Sequence, residues 1–382
     1  MEGIKILHTP VRFYPYVGGV ENYVYSLSRY LVNFGHEVTV LCANVPKNKK
    51  TESINGVKVK RLGYIGRIAN THITPCLPIK LMKENFDVIH THLPTPWSAD
   101  WSSIFAKLKN KPLVLTYHND IVSNGFASYI AKVYNLTALK LVLGTSKRIV
   151  ITQPNYLDRS PYLKRYKDKI EIVPVGVDVE KFRPLDIEED ENTLFFLSVL
   201  DEFHEYKGLE YLLKALKIVK EEIKDVRLIV GGDGVLRSYY QRMAHSLNLR
   251  ENVEFVGFIP DDKLVEYYNR CAAFVLPSYS SKQEGFGIVL LEALACEKPV
   301  ITTEIVGVSR DVEKYNVGKI VRPQDLQSLA NAIIEVLQDK DLRREMGRNG
   351  RKVAEKYSWE TIARAVEKIY LQSIENGSKG RA

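Results

Sequence analysis

Nine consecutive residues, Glu284-Gly285-Phe286-Gly287-Ile288-Val289-Leu290-Leu291-Glu292, set two carboxylates eight positions apart around a Gly-Phe-Gly corner. The apolar run Ala272 to Leu276, followed by Pro277-Ser278, reads as a buried strand, and Ile288 to Ala295 reads as a buried helix. Glu284 is therefore expected at a strand-to-helix turn and Glu292 inside the helix, about two turns further along and on roughly the same face. Glycines let a ligand approach the backbone closely, and the unpaired N–H groups and dipole of a new helix favour a phosphate or a polyhydroxylated group. A carboxylate at each end of such a site suits sugar hydroxyls, which donate to it. Taken alone, the same nine residues are also compatible with a capped helix carrying an incidental buried Glu.

Other candidate residues fall at comparable places. Gly18-Gly19 lies between the first strand and a helix over Glu21 to Phe34, whose residues Tyr23, Leu27, Tyr30 and Leu31 form one stripe. A loop that needs glycine for positive φ is the plain alternative there. His118 follows the strand Leu113 to Tyr117, and a structural histidine at a strand end is its plain alternative. Gly231-Gly232-Asp233-Gly234 follows the strand Val226 to Gly231. His90 and His92 alternate along one strand and point to one face, but no third ligand follows nearby, so a metal is not expected. Ligands of parallel sheets bind beyond the carboxyl ends of strands, which is where these motifs map.

The elements that position them form two α/β halves. In the first, strands are expected at Ile4 to His8, Glu37 to Cys42, Val57 to Leu62, Val88 to His92, Leu113 to Tyr117, Arg148 to Thr152 and Ile170 to Val173. The second has strands at Leu194 to Val199, Val226 to Gly231, Val253 to Val256, Ala273 to Leu276 and Pro299 to Thr302, alternating with helices. Short β-branched strands separated by helices predict a parallel doubly wound sheet in each half. The acidic run Asp186 to Glu191 marks the break. Domains are expected at 1–185 and 186–359, with a terminal helix over about 360–382 that packs back onto the first.

The set of motifs resembles the retaining glycosyltransferases of family GT4. Glu284 to Glu292 looks like the E-x7-E motif of that family. Asp87-Val88-Ile89-His90-Thr91-His92, Thr116 to Asp120, Ile172 to Asp178 with Phe182, Gly231 to Gly234, Phe255-Val256-Gly257 and Tyr357-Ser358-Trp359 follow in the order the family shows. The resemblance implies a GT-B fold, two Rossmann-like domains facing each other across a cleft, with an acceptor-side amino-terminal domain and a donor-binding carboxy-terminal one. It also implies retaining transfer of a hexose from a UDP- or GDP-linked sugar to a hydroxyl of a lipid-linked or glycan acceptor, with no metal and no cofactor beyond the nucleotide sugar. By this resemblance His118, Glu284 and Lys207 carry the reaction. Gly18 and Gly19 approach the diphosphate and the acceptor, Lys207 neutralises the diphosphate, and Glu284 with the Phe286 and Gly287 amides holds the sugar beside Gly285. Glu292 then binds the ribose, and Gly257, Phe258 and Ile259 flank the base. The acceptor would lie around Tyr14, Tyr16 and Trp97.

One departure stands out. Family members commonly place an arginine a few residues before the lysine, and Leu197 to Tyr206 has none. His204 is the candidate substitute, with the Gly-Phe-Gly amides as the other. Two rival functions share these motifs: a GT-B sugar-nucleotide epimerase or phosphorylase, and a non-catalytic nucleotide-sugar binder. A retaining glycosidase is disfavoured because it needs two carboxyls about 5 Å apart. A Rossmann dehydrogenase is excluded by the lack of G-x-G-x-x-G at the first helix.

Length and composition agree. The 382 residues suffice for two cores, and 45% hydrophobic content suits a globular protein. No apolar run approaches the ~20 residues that cross a bilayer, and the start reads as a strand, so the expected location is cytoplasmic. Four scattered cysteines, without metal spacing, are expected as reduced core thiols. Charge is uneven: residues 1–185 carry +13 and the remainder −5. Such a basic half attracts anionic lipid headgroups or a polyanionic acceptor, hence an expectation of peripheral contact with the inner membrane face; no nucleic-acid partner is expected.

Overall fold

The computed structural model describes residues 3–16, 18–68, 70–121, 127–153, 156–280 and 284–378. Met1, Glu2 and residues 379–382 of the expected terminal helix lie outside them. The chain forms two compact units, residues 1–175 with 359–382, and residues 176–358.

The first unit holds strands β1 (Lys5–Thr9), β2 (Glu37–Ala43), β3 (Thr51–Ile54), β4 (Val57–Leu62), β5 (Gly66–Ile68), β6 (Thr71–Ile73), β7 (Val88–Leu93), β8 (Leu113–Tyr117), β9 (Arg148–Ile151) and β10 (Ile170–Ile172). Eight of them form one sheet in the order β10-β9-β8-β7-β1-β2-β4-β3, parallel except for β3, and β5 and β6 make a small antiparallel hairpin. The central strands are buried along their whole length, as β7 and β8 show, because helices cover both faces. The helix Gly19–Asn33 buries Tyr23, Val24, Leu27 and Leu31. The terminal helix Trp359–Ser378 belongs to this unit and packs Trp359, Ile362, Val366 and Tyr370 into the same core.

The second unit holds β11 (Asp190–Leu197), β12 (Arg227–Gly231), β13 (Val253–Gly257), β14 (Cys271–Leu276), β15 (Val300–Thr303) and β16 (Gly318–Val321) in the order β13-β12-β11-β14-β15-β16, parallel throughout. The order reverses between β11 and β14, and that switch point is where a doubly wound sheet opens a crevice beyond its strand ends. The acidic run 186–191 lies within this unit and leads into β11 rather than separating two folded parts. Its carboxylates are held from other elements, with Glu189 paired to Lys298 and Arg343 and Asp190 to Arg270.

Three of the four cysteines are buried and unpaired, as core thiols; Cys76 is exposed, contrary to expectation, because it sits ahead of the helix Leu77–Lys83. Among the described residues no helix is long and apolar enough to cross a membrane.

Candidate functional site

In the second unit the site is assembled at the carboxyl end of β14. Gly208 adopts φ +84°, and a Cβ there would lie 2.2 Å from the Pro277 carbonyl oxygen, so only glycine lets the turn Glu205–Lys207 approach the loop after β14. The Tyr279 N–H donates to the Tyr206 carbonyl at 2.9 Å and fastens the two loops. That approach sets the Lys207 ammonium on both oxygens of Glu284, at 3.0 and 2.9 Å. Ser278 Oγ donates to the same carboxylate at 2.5 Å and the Gly285 N–H at 3.1 Å. These four hydrogen bonds fill about all the acceptor positions a carboxylate offers. The Glu284 side chain is 2% exposed and that of Lys207 18%, so the pair is largely desolvated.

The helix that follows runs Ile288–Ala295, with Gly287 as its cap at φ +82°, where a Cβ would meet Val306 Cγ1 at 2.6 Å. Among the described residues no backbone hydrogen bond consumes the Phe286 or Gly287 N–H. They lie beside the first orphan donors of the helix, in the arrangement that binds anions. Phe286 is itself buried, with its ring 5.4 Å from that of Tyr357.

The helix runs Ile288–Ala295 as expected, so Glu284 stands at the turn ahead of it and Glu292 inside it. Glu292 has its own partner: it accepts from Tyr268 Oη at 2.7 Å. Burial pushes its carboxyl up to about 7, the Tyr268 hydrogen bond and Lys181 opposing and Asp261 adding to the rise. Of the residues expected around a base, Gly257 has φ +76° and Phe258 is exposed, while Ile259 is buried against Gly231. Phe258 and Ile259 line a pocket of about 180 Å³ with Pro260, Lys263 and Tyr267.

His204 does not stand as a spare cation. Its Nδ1 meets Asp201 Oδ1 at 2.6 Å, and the same oxygen accepts the N–H groups of Phe203 and His204. A ring tied to an acidic turn is a poor replacement for an arginine. The single Asp-x-Asp triplet, Asp339-Lys340-Asp341, is spent on a helix start, where Asp339 accepts the Leu342 N–H at 2.8 Å.

The first unit gathers a different group. His118 follows β8, as expected, and its N–H donates to the Leu93 carbonyl. Its ring is the outer member of a stack: His118 Nε2 lies 3.4 Å from His92 Nδ1, and His92 Nε2 lies 3.4 Å from His8 Nδ1. Ring planes tilt by 23° and 15° in the two steps. Burial lowers His118 to about 4 and His8 to about 3, and His90 and His92 fall well below the usual range for the same reason, so all four are neutral at pH 7. His8 supplies the third nitrogen that spacing alone did not reveal, since His8, His90 and His92 could by distance hold a metal ion. His90 is already committed, however, with Nδ1 2.6 Å from Tyr370 Oη and Nε2 2.7 Å from Thr116 Oγ1.

Gly18 is extended at φ −172°, and neither it nor Gly19 has positive φ, so turn geometry does not explain the pair. A Cβ on Gly18 would lie 2.4 Å from Glu21 Oε2, whereas a Cβ on Gly19 would meet open space. Glu21 is buried and paired with Arg12 Nε at 2.8 Å, and Arg12 also donates to Tyr16 Oη. Of the residues expected to meet an acceptor, Tyr14 is exposed and stacks on Tyr25, while Trp97 is half-buried against the core with its Nε1 donating to the Thr74 carbonyl.

Residues 178–353 match the model of the family described as glycosyl transferases group 1, and residues 17–181 match that of glycosyltransferase family 4. The chain is a glycosyltransferase. Among its relatives, this glycosyltransferase is 27% identical to the O-antigen chain mannosyltransferase C of Escherichia coli, over 98% of its own length and 100% of the relative's. It is also 27% identical to the phosphatidyl-myo-inositol mannosyltransferase of Mycobacterium tuberculosis, over 95% of both chains. The structure of sucrose-phosphate synthase from Thermosynechococcus elongatus superposes with a TM-score of 0.73, at 25% identity, covering 97% of this chain and 98% of that one. The fold of this glycosyltransferase is therefore GT-B, with a parallel-sheet α/β domain in each unit.

Arg12, Ser278, Tyr268 and His8 are the residues at these clusters that motif reading missed. Ser278 carried a local signal, at the end of an apolar strand, and Arg12 lies within nine positions of its partners, whereas Tyr268 and His8 reach theirs across 24 and 84 positions.

Proposed function

We propose that the enzyme transfers a hexose, with retention of configuration, from a nucleotide-diphosphate sugar to a hydroxyl of a lipid-linked or glycan acceptor. The observation that supports this reading most is the turn after β14, where Lys207, Glu284 and two unconsumed amides converge at one strand end. Charge builds on the diphosphate as the glycosidic bond breaks, and a positioned ammonium with backbone donors stabilises it. With His204 tied to Asp201, the Phe286 and Gly287 amides take the share that an arginine carries elsewhere. Glu284 orients Lys207 and accepts from a sugar hydroxyl by exchanging one of its present donors. Glu292 accepts from the ribose, His118 donates to the reacting sugar, and Gly257 with Phe258 and Ile259 flanks the base. Gly18 and Gly19 leave room for the diphosphate and acceptor. No metal or organic cofactor is required, so EDTA leaves turnover unchanged.

The acceptor reading is supported by the first unit. Its helices Ala127–Leu136 and Ala138–Thr145 expose Tyr129, Val133, Leu136 and Leu141 beside Lys132 and Lys140, a surface suited to peripheral contact with anionic lipid. Two relatives named as mannosyltransferases make a mannosyl nucleotide the first donor to try, with UDP-linked hexoses beside it. Thermal-shift screening over UDP- and GDP-sugars should raise the melting temperature with one donor class. NMR of the product should show the donor's anomeric configuration; inversion overturns the mechanism, and failure of every nucleotide sugar to bind overturns the proposal. Activity indifferent to anionic vesicles would count against membrane contact.

A further inference from the structure

The stack His8–His92–His118 has a direction built into it. Each 3.4 Å nitrogen pair needs one proton between its two atoms, so three neutral rings have only two consistent orderings. In one, His8 donates from Nδ1 to His92 Nε2, His92 donates from Nδ1 to His118 Nε2, and His118 carries its proton on Nδ1. The other reverses every bond, leaving His118 Nδ1 bare and putting an N–H on His8 Nε2. His8 is 0% exposed and its Nε2 has no partner among the described residues. Buried N–H groups without an acceptor are rare, whereas a bare lone pair is better tolerated. His90 cannot disturb the order, since Tyr370 and Thr116 occupy both its nitrogens.

We propose that His8 and His92 are positioning residues that fix His118 as the neutral Nδ1–H tautomer, so that the nitrogen left for a ligand is always a hydrogen-bond donor. The inference rests on the reading that His118 meets the reacting sugar. Its consequence is that a residue three rings deep, on β1, sets how His118 addresses a hydroxyl. Tautomer choice of this kind is made by the hydrogen bond on the far nitrogen.

The test is long-range proton–nitrogen NMR on the full-length resting enzyme labelled at its eight histidines. The His118 signals are assigned by their loss in His118→Asn. Wild type should show His118 protonated on Nδ1. His8→Met, whose thioether can only accept from His92 Nε2, should turn the order round, move His118 to the Nε2–H form and lower kcat/KM about 5- to 10-fold, the worth of roughly one hydrogen bond. His8→Asn, whose amide N–H can replace the Nδ1 donor, should restore both the spectrum and the rate. A wild-type His118 protonated on Nε2, or an unchanged tautomer in His8→Met, overturns the proposal, and the wild-type spectrum decides even if His8→Met fails to fold. Because these spectra need no substrate, the result is separable from the role of His118: full transfer by His118→Ala would refute that role while leaving the tautomer to the spectrum.

Discussion

Two polar clusters sit at strand ends in the two units, and they are built on opposite electrostatics. In the first, the buried His8, His90 and His92 and the half-buried His118 carry no charge. The second is ionic: a carboxylate and an ammonium, both largely desolvated, are braced by a hydroxyl and an amide. The neutral cluster can lose a ring without stranding a charge. Removing one partner of the ionic cluster leaves the other buried and uncompensated, which is the costlier event.

The largest expected effect follows from that asymmetry. Lys207→Met strands Glu284 and should lower unfolding stability by about 3 kcal/mol, measured by denaturant titration. It should also lower kcat/KM by roughly 10²- to 10³-fold through loss of the diphosphate cation. Adding Glu284→Gln removes the stranded charge, so the double variant should regain most of the stability and none of the activity. Recovery of activity would mean that Lys207 serves only the fold.

The same contrast explains what the sequence disclosed. Short β-branched runs gave most strands of both sheets, and Val57–Leu62 and Leu113–Tyr117 match residue for residue. The strand Gly318–Val321 escaped because four residues, one of them Lys319, form no pattern; its place is set by parallel pairing with β15 so close that a Cβ on Gly318 would lie 1.9 Å from the Val300 carbonyl oxygen. The Gly-Phe-Gly corner was legible because it is local. The pairing of Lys207 with Glu284 spans 77 positions, and the contact of His8 with His92 spans 84, so neither leaves a periodic trace.

The histidine cluster and Glu292 should respond to pH in opposite senses. A histidine whose folded pKa lies below its unfolded value binds fewer protons when folded, so its stability contribution is present above pH 6.5 and is lost as pH falls towards about 4 for His118 and about 3 for His8. Glu292 is raised from 4.5 to about 7, so the folded form holds a proton that the unfolded form has released. Its effect is a loss of stability as pH rises from 4.5 to about 7, at most ~3 kcal/mol. Hydrogen exchange, corrected for intrinsic rates, should show amides of β7 and β8 losing protection between pH 6.5 and 5, while those around Tyr268 and Glu292 gain it. Both regions moving the same way would remove the contrast. Donor affinity should rise as pH passes about 7, when Glu292 ionises and can accept two ribose hydroxyls. Glu292→Gln should flatten that rise.

The smallest effects separate glycines that the fold needs from glycines that leave room. Gly287→Ala forces a side chain into φ +82° and against Val306, and should lower stability by about 1–3 kcal/mol. Gly285→Ala and Gly19→Ala meet nothing within 4 Å and have no positive φ, so both should change stability by less than about 0.5 kcal/mol. If the space beside Gly19 receives the diphosphate and acceptor, Gly19→Ala should nevertheless raise KM several-fold with an unchanged melting temperature. An unaltered KM would assign that space to solvent, and the glycine loop of the first unit would lose its functional reading while the corner at Gly287 kept its structural one.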